Sequence, residues 1–152
     1  MKLRYKGFLI KSISYDLKHA PKKGKTYSDM QVSDGQVALS QGSGPSVVIG
    51  VHINAYSINE GETEKTQTLE INVDWIFAVE SEEKDVHKID GPKFRKLVEE
   101  YGMNFCMIRS EELVKQLTSI DYGRPILVQK VEVPNGITLQ KPDNTNSEDK
   151  DE

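Results

Sequence analysis

A chain of 152 residues is long enough for one domain with a buried core and needs no covalent staples. With 36% hydrophobic and 29% charged residues and a mean hydropathy of -0.56, it holds no apolar run near the roughly 20 residues of a membrane-spanning helix. A single cysteine, Cys106, excludes an internal disulfide and multi-cysteine zinc sites and suits a reducing cytoplasm, while the net charge of -4 argues against a nucleic-acid partner.

The basic start Met1-Lys2-Leu3-Arg4-Tyr5-Lys6 has no apolar segment behind it, so a strand is expected there rather than a signal peptide. Residues 3–17 alternate, with Leu3, Tyr5, Gly7, Leu9, Ile13, Tyr15 and Leu17 in one phase. Phe8 and Ile10 interrupt the polar phase; on the outer face they predict a second buried surface, an oligomer contact. His19 to Asp29 reads as a polar loop. A weaker strand is predicted around Val32–Ser40, ending in Gly42-Ser43-Gly44-Pro45. Val47, Ile49, Val51, Ile53 and Ala55 share one strand face, Asn59-Glu60-Gly61-Glu62 is a turn, and Leu69, Ile71, Val73, Trp75, Phe77 and Val79 share the next face. Short turns between alternating runs predict an antiparallel sheet with one covered face.

From Ser81 the period changes. Gly91-Pro92 opens a helix with Phe94, Leu97, Val98 and Tyr101 on one side, and Gly102 is read as its end. Ser110 is read as the N-cap of a second helix, followed by Glu111 and Glu112, with the stripe Leu113, Val114, Leu117 and Ile120 and a stop at Gly123 and Pro125. These helices are expected to cover the apolar sheet face. Residues 126–133 predict a last extended piece. The division is one α+β domain over residues 1–139 and an acidic disordered tail over 140–152, where apolar residues are nearly absent.

Groups able to do chemistry do not converge in this pattern. His19, His52 and His87 have no partner at metal-ligand spacing, so no metal or cofactor is expected. Gly24-Lys25-Thr26 matches the end of a P-loop, but His19 stands where the first glycine is required. Cys106, in the apolar stretch Met103–Ile108, reads as a buried structural thiol, and Glu80, Glu82 and Glu83 as a solvated charge run. No serine stands in a Gly-x-Ser-x-Gly elbow. No catalytic residue is assigned and no enzyme is expected.

Several local runs carry a family likeness. Lys11-Ser12-Ile13-Ser14-Tyr15-Asp16-Leu17-Lys18-His19-Ala20-Pro21 resembles the first strand of the SecB family, which ends in a Lys-x-Ile-Ser-Phe-Glu-x-Pro pattern. Glu70 with Ile76-Phe77 resembles the family's fourth strand, and Leu113–Ser119 with Gly123 and Pro125 resembles its long helix and Gly/Pro-rich exit. The likeness spans roughly residues 3–134. It implies a four-stranded antiparallel sheet with C-terminal helices packed on one face. It also implies an ATP-independent chaperone or targeting factor, a homo-oligomer (dimer or tetramer) that binds unfolded or disordered polypeptide on apolar surface and docks the SecA translocation motor. Tyr27, Met30, Leu113 and Leu117 would be peptide-binding residues, and Asp16 and Glu70 the acidic partner-binding positions. Three departures keep a second reading open, an adaptor binding one specific partner: Ser12 stands where the family has an acid, Leu17–Gln31 is rich in lysine, and Asn135-Gly136-Ile137-Thr138-Leu139 stands where a second helix is expected.

Overall fold

Alternating apolar and polar residues build five strands in succession: β1 (Lys2–Leu17), β2 (Gly24–Val32), β3 (Gly35–Ser40), β4 (Gly44–Asn59) and β5 (Gln67–Glu80). The structure is a computed structural model and describes residues 1–20, 22–32, 35–40, 44–82, 89, 91–119, 126 and 139–140. β5 lies between β1 and β4, and these strands pair antiparallel. β2 and β3 share the far side of β4: β2 runs from Gly24 opposite Asn59 to Val32 opposite Val51, and β3 from Gln36 opposite Val48 to Ser40 opposite Gly44. They occupy one lane, so the sheet has four antiparallel lanes. A short β6 (Leu139–Gln140) lies parallel to the start of β3.

The unbroken register between β4 and β5 puts Val47 with Phe77, Ile49 with Trp75, Val51 with Val73, Ile53 with Ile71 and Ala55 with Leu69 on one face, all buried. Full burial of an aliphatic or aromatic side chain contributes roughly 1.5–3 kcal/mol, so this double row dominates the core.

β2 differs from expectation, since the lysine-rich stretch was predicted as a loop. Only one side of this lane needs to be apolar: Met30 is buried and Val32 half-buried, while Lys25, Tyr27, Asp29 and Gln31 face away from the core. Backbone pairing with β4 holds the strand where side-chain hydrophobicity is weak.

β1 also departs from simple alternation. Its register slips between Tyr5 and Gly7 and again between Ile10 and Ser12, and each bulge reverses which parity faces the core. Phe8 therefore stands opposite Trp75 and Ile10 opposite Val73, on the helix side of the sheet and not on the outer face. Leu9, opposite Asp74, is the side chain turned outward. Gly7, at φ 155°, carries the first bulge.

The expected pair of helices is one continuous helix. α1 (Pro92–Leu97), a π-helical turn (Val98–Met103) and α2 (Asn104–Thr118) follow without a break. The buried positions are Phe94, Val98, Gly102, Met103, Cys106, Met107, Ser110, Leu113, Val114 and Thr118, and the adjacent buried pair Gly102 and Met103 closes the π turn. Gly102 is not a terminator but a contact point with the sheet, and Ser110 is a fully buried residue inside α2 rather than a cap.

The helix covers the apolar sheet face, and Ile89 and Ile126 complete the core. The Thr118 hydroxyl donates to the Val114 carbonyl at 2.8 Å and accepts the Ile126 amide at 2.8 Å, which ties the chain beyond the helix back to its last turn. The predicted helix end at Gly123 and Pro125, the extended piece over 126–133 apart from Ile126, His87, and the acidic tail beyond Gln140 lie outside the described residues.

Candidate functional site

The two faces of the sheet offer different chemistry. On the outer face Tyr27 lies opposite Tyr56, their rings stacked with centroids 4.9 Å apart, and Lys65 Nζ sits 4.2 Å from the Tyr56 ring centre. Beside them runs a polar ladder. Asn72 Nδ2 donates to Ser12 Oγ at 2.8 Å, Asn72 Oδ1 lies 2.8 Å from His52 Nδ1, and His52 Nε2 lies 3.7 Å from Glu70. Asp16, opposite Thr68, and Glu70, opposite Ser14, fall in adjacent rows of this face and share a shallow depression with Lys18, Glu64 and Lys65. The two predicted acidic positions are thus brought together, with cations interleaved.

The predicted peptide-binding residues are not brought together. Tyr27 is on the outer face, Met30 is buried in the core on the opposite side, and Leu113 and Leu117 belong to α2. Leu113 is buried and Leu117 half-buried.

The helix side holds an apolar cleft that was not anticipated. The first bulge of β1 turns Phe8 toward α2, where its ring lies 5.2 Å from that of Trp75. Tyr5 packs on Phe105 at 4.8 Å, and Phe105 meets Trp75 edge-on at 6.4 Å and 83°. Phe8, Tyr5, Trp75 and Leu113 form the walls, and Arg109, Glu112 and Gln116 the rim, of a cleft of about 260 Å³. Arg109 is held at that rim by an ion pair with Glu112 at 2.7 Å and by the Phe105 ring beneath it at 5.4 Å. The Trp75 indole N–H is buried and has no hydrogen-bond acceptor among the described residues. Phe8 remains 47% exposed, and Ile13, farther along the same side of β1, 49% exposed.

Sequence reasoning read Trp75 and Tyr5 only as core residues and did not single out Arg109 or Gln116. The available signal was Gly7, an isolated glycine within a strand pattern directly before Phe8, which marks a bulge and hence a change of face.

Burial pushes the Cys106 thiol far above its ordinary range, so it is held protonated. Among the described residues no three His, Cys, Asp or Glu side chains gather to hold a metal ion, and no helix is long and apolar enough to cross a membrane.

No protein-family model matches the sequence, and no curated protein is detectably similar to it. Solved structures superpose on the chain. The SecB-like chaperone Rv1957 of Mycobacterium tuberculosis, solved in complex with a ChAD peptide from the Rv1956 HigA1 antitoxin, superposes with a TM-score of 0.57 at 13% identity, covering 88% of this chain and 93% of that one. A protein of unknown function from Streptococcus agalactiae superposes with a TM-score of 0.41 at 9% identity, covering 86% of this chain and 98% of that one. Four antiparallel lanes, a helix packed across one face and the superposition on the mycobacterial chaperone together define a SecB-like α+β fold.

Proposed function

We propose that the protein is an ATP-independent, SecB-like chaperone or targeting factor that binds non-native polypeptides through apolar surface, without catalysis. The observation that carries this reading is the apolar cleft between β1 and α2, with Phe8 half-exposed at its mouth and Ile13 exposed along the strand. Apolar surface left open on the helix side of a SecB-like sheet is what a binder of extended, unfolded chain requires. The reading includes a cytoplasmic location and a homo-oligomer, dimer or tetramer; the outer edge of the 16-residue β1, which pairs with no other strand among the described residues, favours association. The neighbouring Asp16 and Glu70 are offered as the docking positions for a SecA-type motor.

The test is to follow light scattering of a reduced, unfolding client with the protein in molar excess. A delay in aggregation is expected, and an unchanged time course sinks the chaperone reading.

A second reading, an adaptor of the same fold with one specific partner, is favoured by the small bounded volume of the cleft and its fixed ion-paired rim. Pull-down from cell lysate separates the two. One stoichiometric partner supports the adaptor, and a broad set of clients the chaperone.

A further inference from the structure

On the outer face, the middle of the sheet carries a row of polar side chains, one from each lane. Gln31 of β2 stands opposite His52 of β4, His52 opposite Asn72 of β5, and Asn72 opposite Ser12 of β1. Hydrogen bonds along this row fix the state of the imidazole. Asn72 Nδ2 donates to Ser12 Oγ, so its Oδ1 is turned to His52 Nδ1 and can only accept. His52 Nδ1 therefore carries a hydrogen, and the remaining proton site is Nε2, 3.7 Å from the Glu70 carboxylate. In the neutral ring Nε2 presents a lone pair to that carboxylate. A second proton turns the same approach into a charge-assisted contact, with the ring already held by Asn72.

The other charged groups facing His52 among the described residues have their own partners. Asp74 of β5, one row away, is paired with Lys11 of β1 at 3.3 Å. Asp29 of β2 shares the row of Glu70 and accepts from Gln31 Nε2 at 3.2 Å. β1 places only Ser12 and Ser14 alongside. Glu70 is thus the carboxylate that Nε2 meets. Glu70 also belongs to the shallow depression it shares with Asp16, Glu64, Lys18 and Lys65. Three carboxylates against two ammoniums leave that depression with one negative charge, and a cation on His52 cancels it.

We infer that His52 is a proton-operated switch for Glu70. With a neutral ring, Glu70 serves the depression and accepts a lysine or arginine of a basic polypeptide segment. With a protonated ring, Glu70 pairs with His52 and the depression loses its net charge. Docking at Asp16 and Glu70 therefore weakens as pH falls through the imidazole range, between about pH 8 and pH 5. Proton and segment compete for one carboxylate, so docking in turn expels the proton. The inference rests on the reading that Asp16 and Glu70 dock a partner, and it adds the regulation of that site.

A blocked, rhodamine-labelled peptide of about ten residues, alternating Lys and Ser, is titrated into the full chain at low salt, at about pH 8 and about pH 5.5. Anisotropy reads the affinity. Wild type is expected to bind about threefold more weakly at the lower pH. His52→Gln is expected to bind equally at both, with the wild-type affinity of the higher pH. Glu70→Gln is expected to bind weakly at both. His19→Gln, outside the row, keeps the wild-type pH dependence. A second readout needs no peptide: the NMR shift of the Glu70 carboxyl carbon should follow the His52 ring resonances through their titration, and that step should vanish in His52→Gln.

Equal wild-type affinity at the two pH values, a pH dependence that survives in His52→Gln, or a Glu70 carboxyl that ignores the His52 step overturns the switch. If binding at about pH 8 still requires Glu70 in that case, the docking reading stands without it. If the peptide binds at neither pH while the Glu70 carboxyl follows His52, the switch stands and the docking reading fails.

Discussion

Gly102 in the π-helical turn lies so close to Ile49 of β4 that a Cβ on residue 102 stands 2.9 Å from the Ile49 Cδ1 atom. A glycine-to-alanine change in an exposed helix normally gains about 1 kcal/mol in helix propensity. Here the added methyl meets a fully buried side chain, and overpacking costs about 1–3 kcal/mol. Gly102→Ala is expected to lower stability by about 1 kcal/mol in urea unfolding. Ile49→Val alone costs about 0.5–1.5 kcal/mol, but in the Gly102→Ala background it removes the clashing methyl. The double variant is therefore expected to be more stable than the sum of the singles. A higher midpoint for Gly102→Ala alone refutes the close contact.

Gly24 presents the same constraint against backbone instead of a side chain. A Cβ there falls inside the van der Waals envelope of the Ile58 carbonyl oxygen and 2.8 Å from Asn59 Cα, at the first pair of β2 with β4. A strand backbone cannot swing aside as a methyl can. Gly24→Ala is expected to cost about 2–3 kcal/mol, while the adjacent exposed Lys25→Ala stays within about 0.5 kcal/mol. Hydrogen exchange supplies the local readout: amides of β2 should lose protection before those of β5.

The contrast between these glycines and the strands around them shows what the sequence makes legible. β4 and β5 follow from strict alternation over Val47–Ala55 and Leu69–Val79, because both are paired on each side and one face is fully buried. The continuous helix does not follow, since Gly102 and Ser110 carry the local marks of a stop and a cap. Their actual roles, a close approach to Ile49 and a buried position inside α2, come from tertiary contacts. The cleft was hidden for a related reason. Phe8 belongs to the apparent outer phase of β1 until the register slip between Tyr5 and Gly7 turns it toward Trp75. On the outer face Asp16 and Glu70 fall in adjacent rows, because their strands pair without a slip between Ser12 and Leu17.

Near one end of the sheet the core is closed by polar groups that satisfy each other. Ser57 Oγ donates to Gln67 Oε1 at 2.8 Å, and Gln67 Nε2 donates to the Tyr15 hydroxyl at 3.2 Å, with Gln67 only 1% exposed. Gln67→Leu keeps approximate volume but strands the Ser57 hydroxyl, and leaving a buried hydroxyl unpaired costs about 1–3 kcal/mol. Adding Ser57→Ala removes the stranded group, so the double variant is expected to recover part of that loss. The coupling energy from the four denaturation curves should exceed about 0.5 kcal/mol. Simple additivity rules out the hydrogen-bonded pair as the source.

Cys106 provides a prediction in pH, because burial holds its thiol protonated in the folded chain. The unfolded chain releases that proton above about pH 8.5, the ordinary thiol value. Above that point the unfolded state binds fewer protons than the folded one, so stability falls as pH rises; below it the two states bind alike and the residue adds no slope. Wild-type protein is expected to lose stability relative to Cys106→Ala by up to about 1.4 kcal/mol per pH unit between about pH 9 and 10. Only the difference in slope is diagnostic, because the alanine leaves a cavity and lowers stability at every pH. Thiol-reactive reagents should likewise modify the native chain slowly at pH 8 and rapidly in denaturant. Parallel stability curves up to pH 10, or fast native-state labelling, contradict a buried protonated thiol under α2.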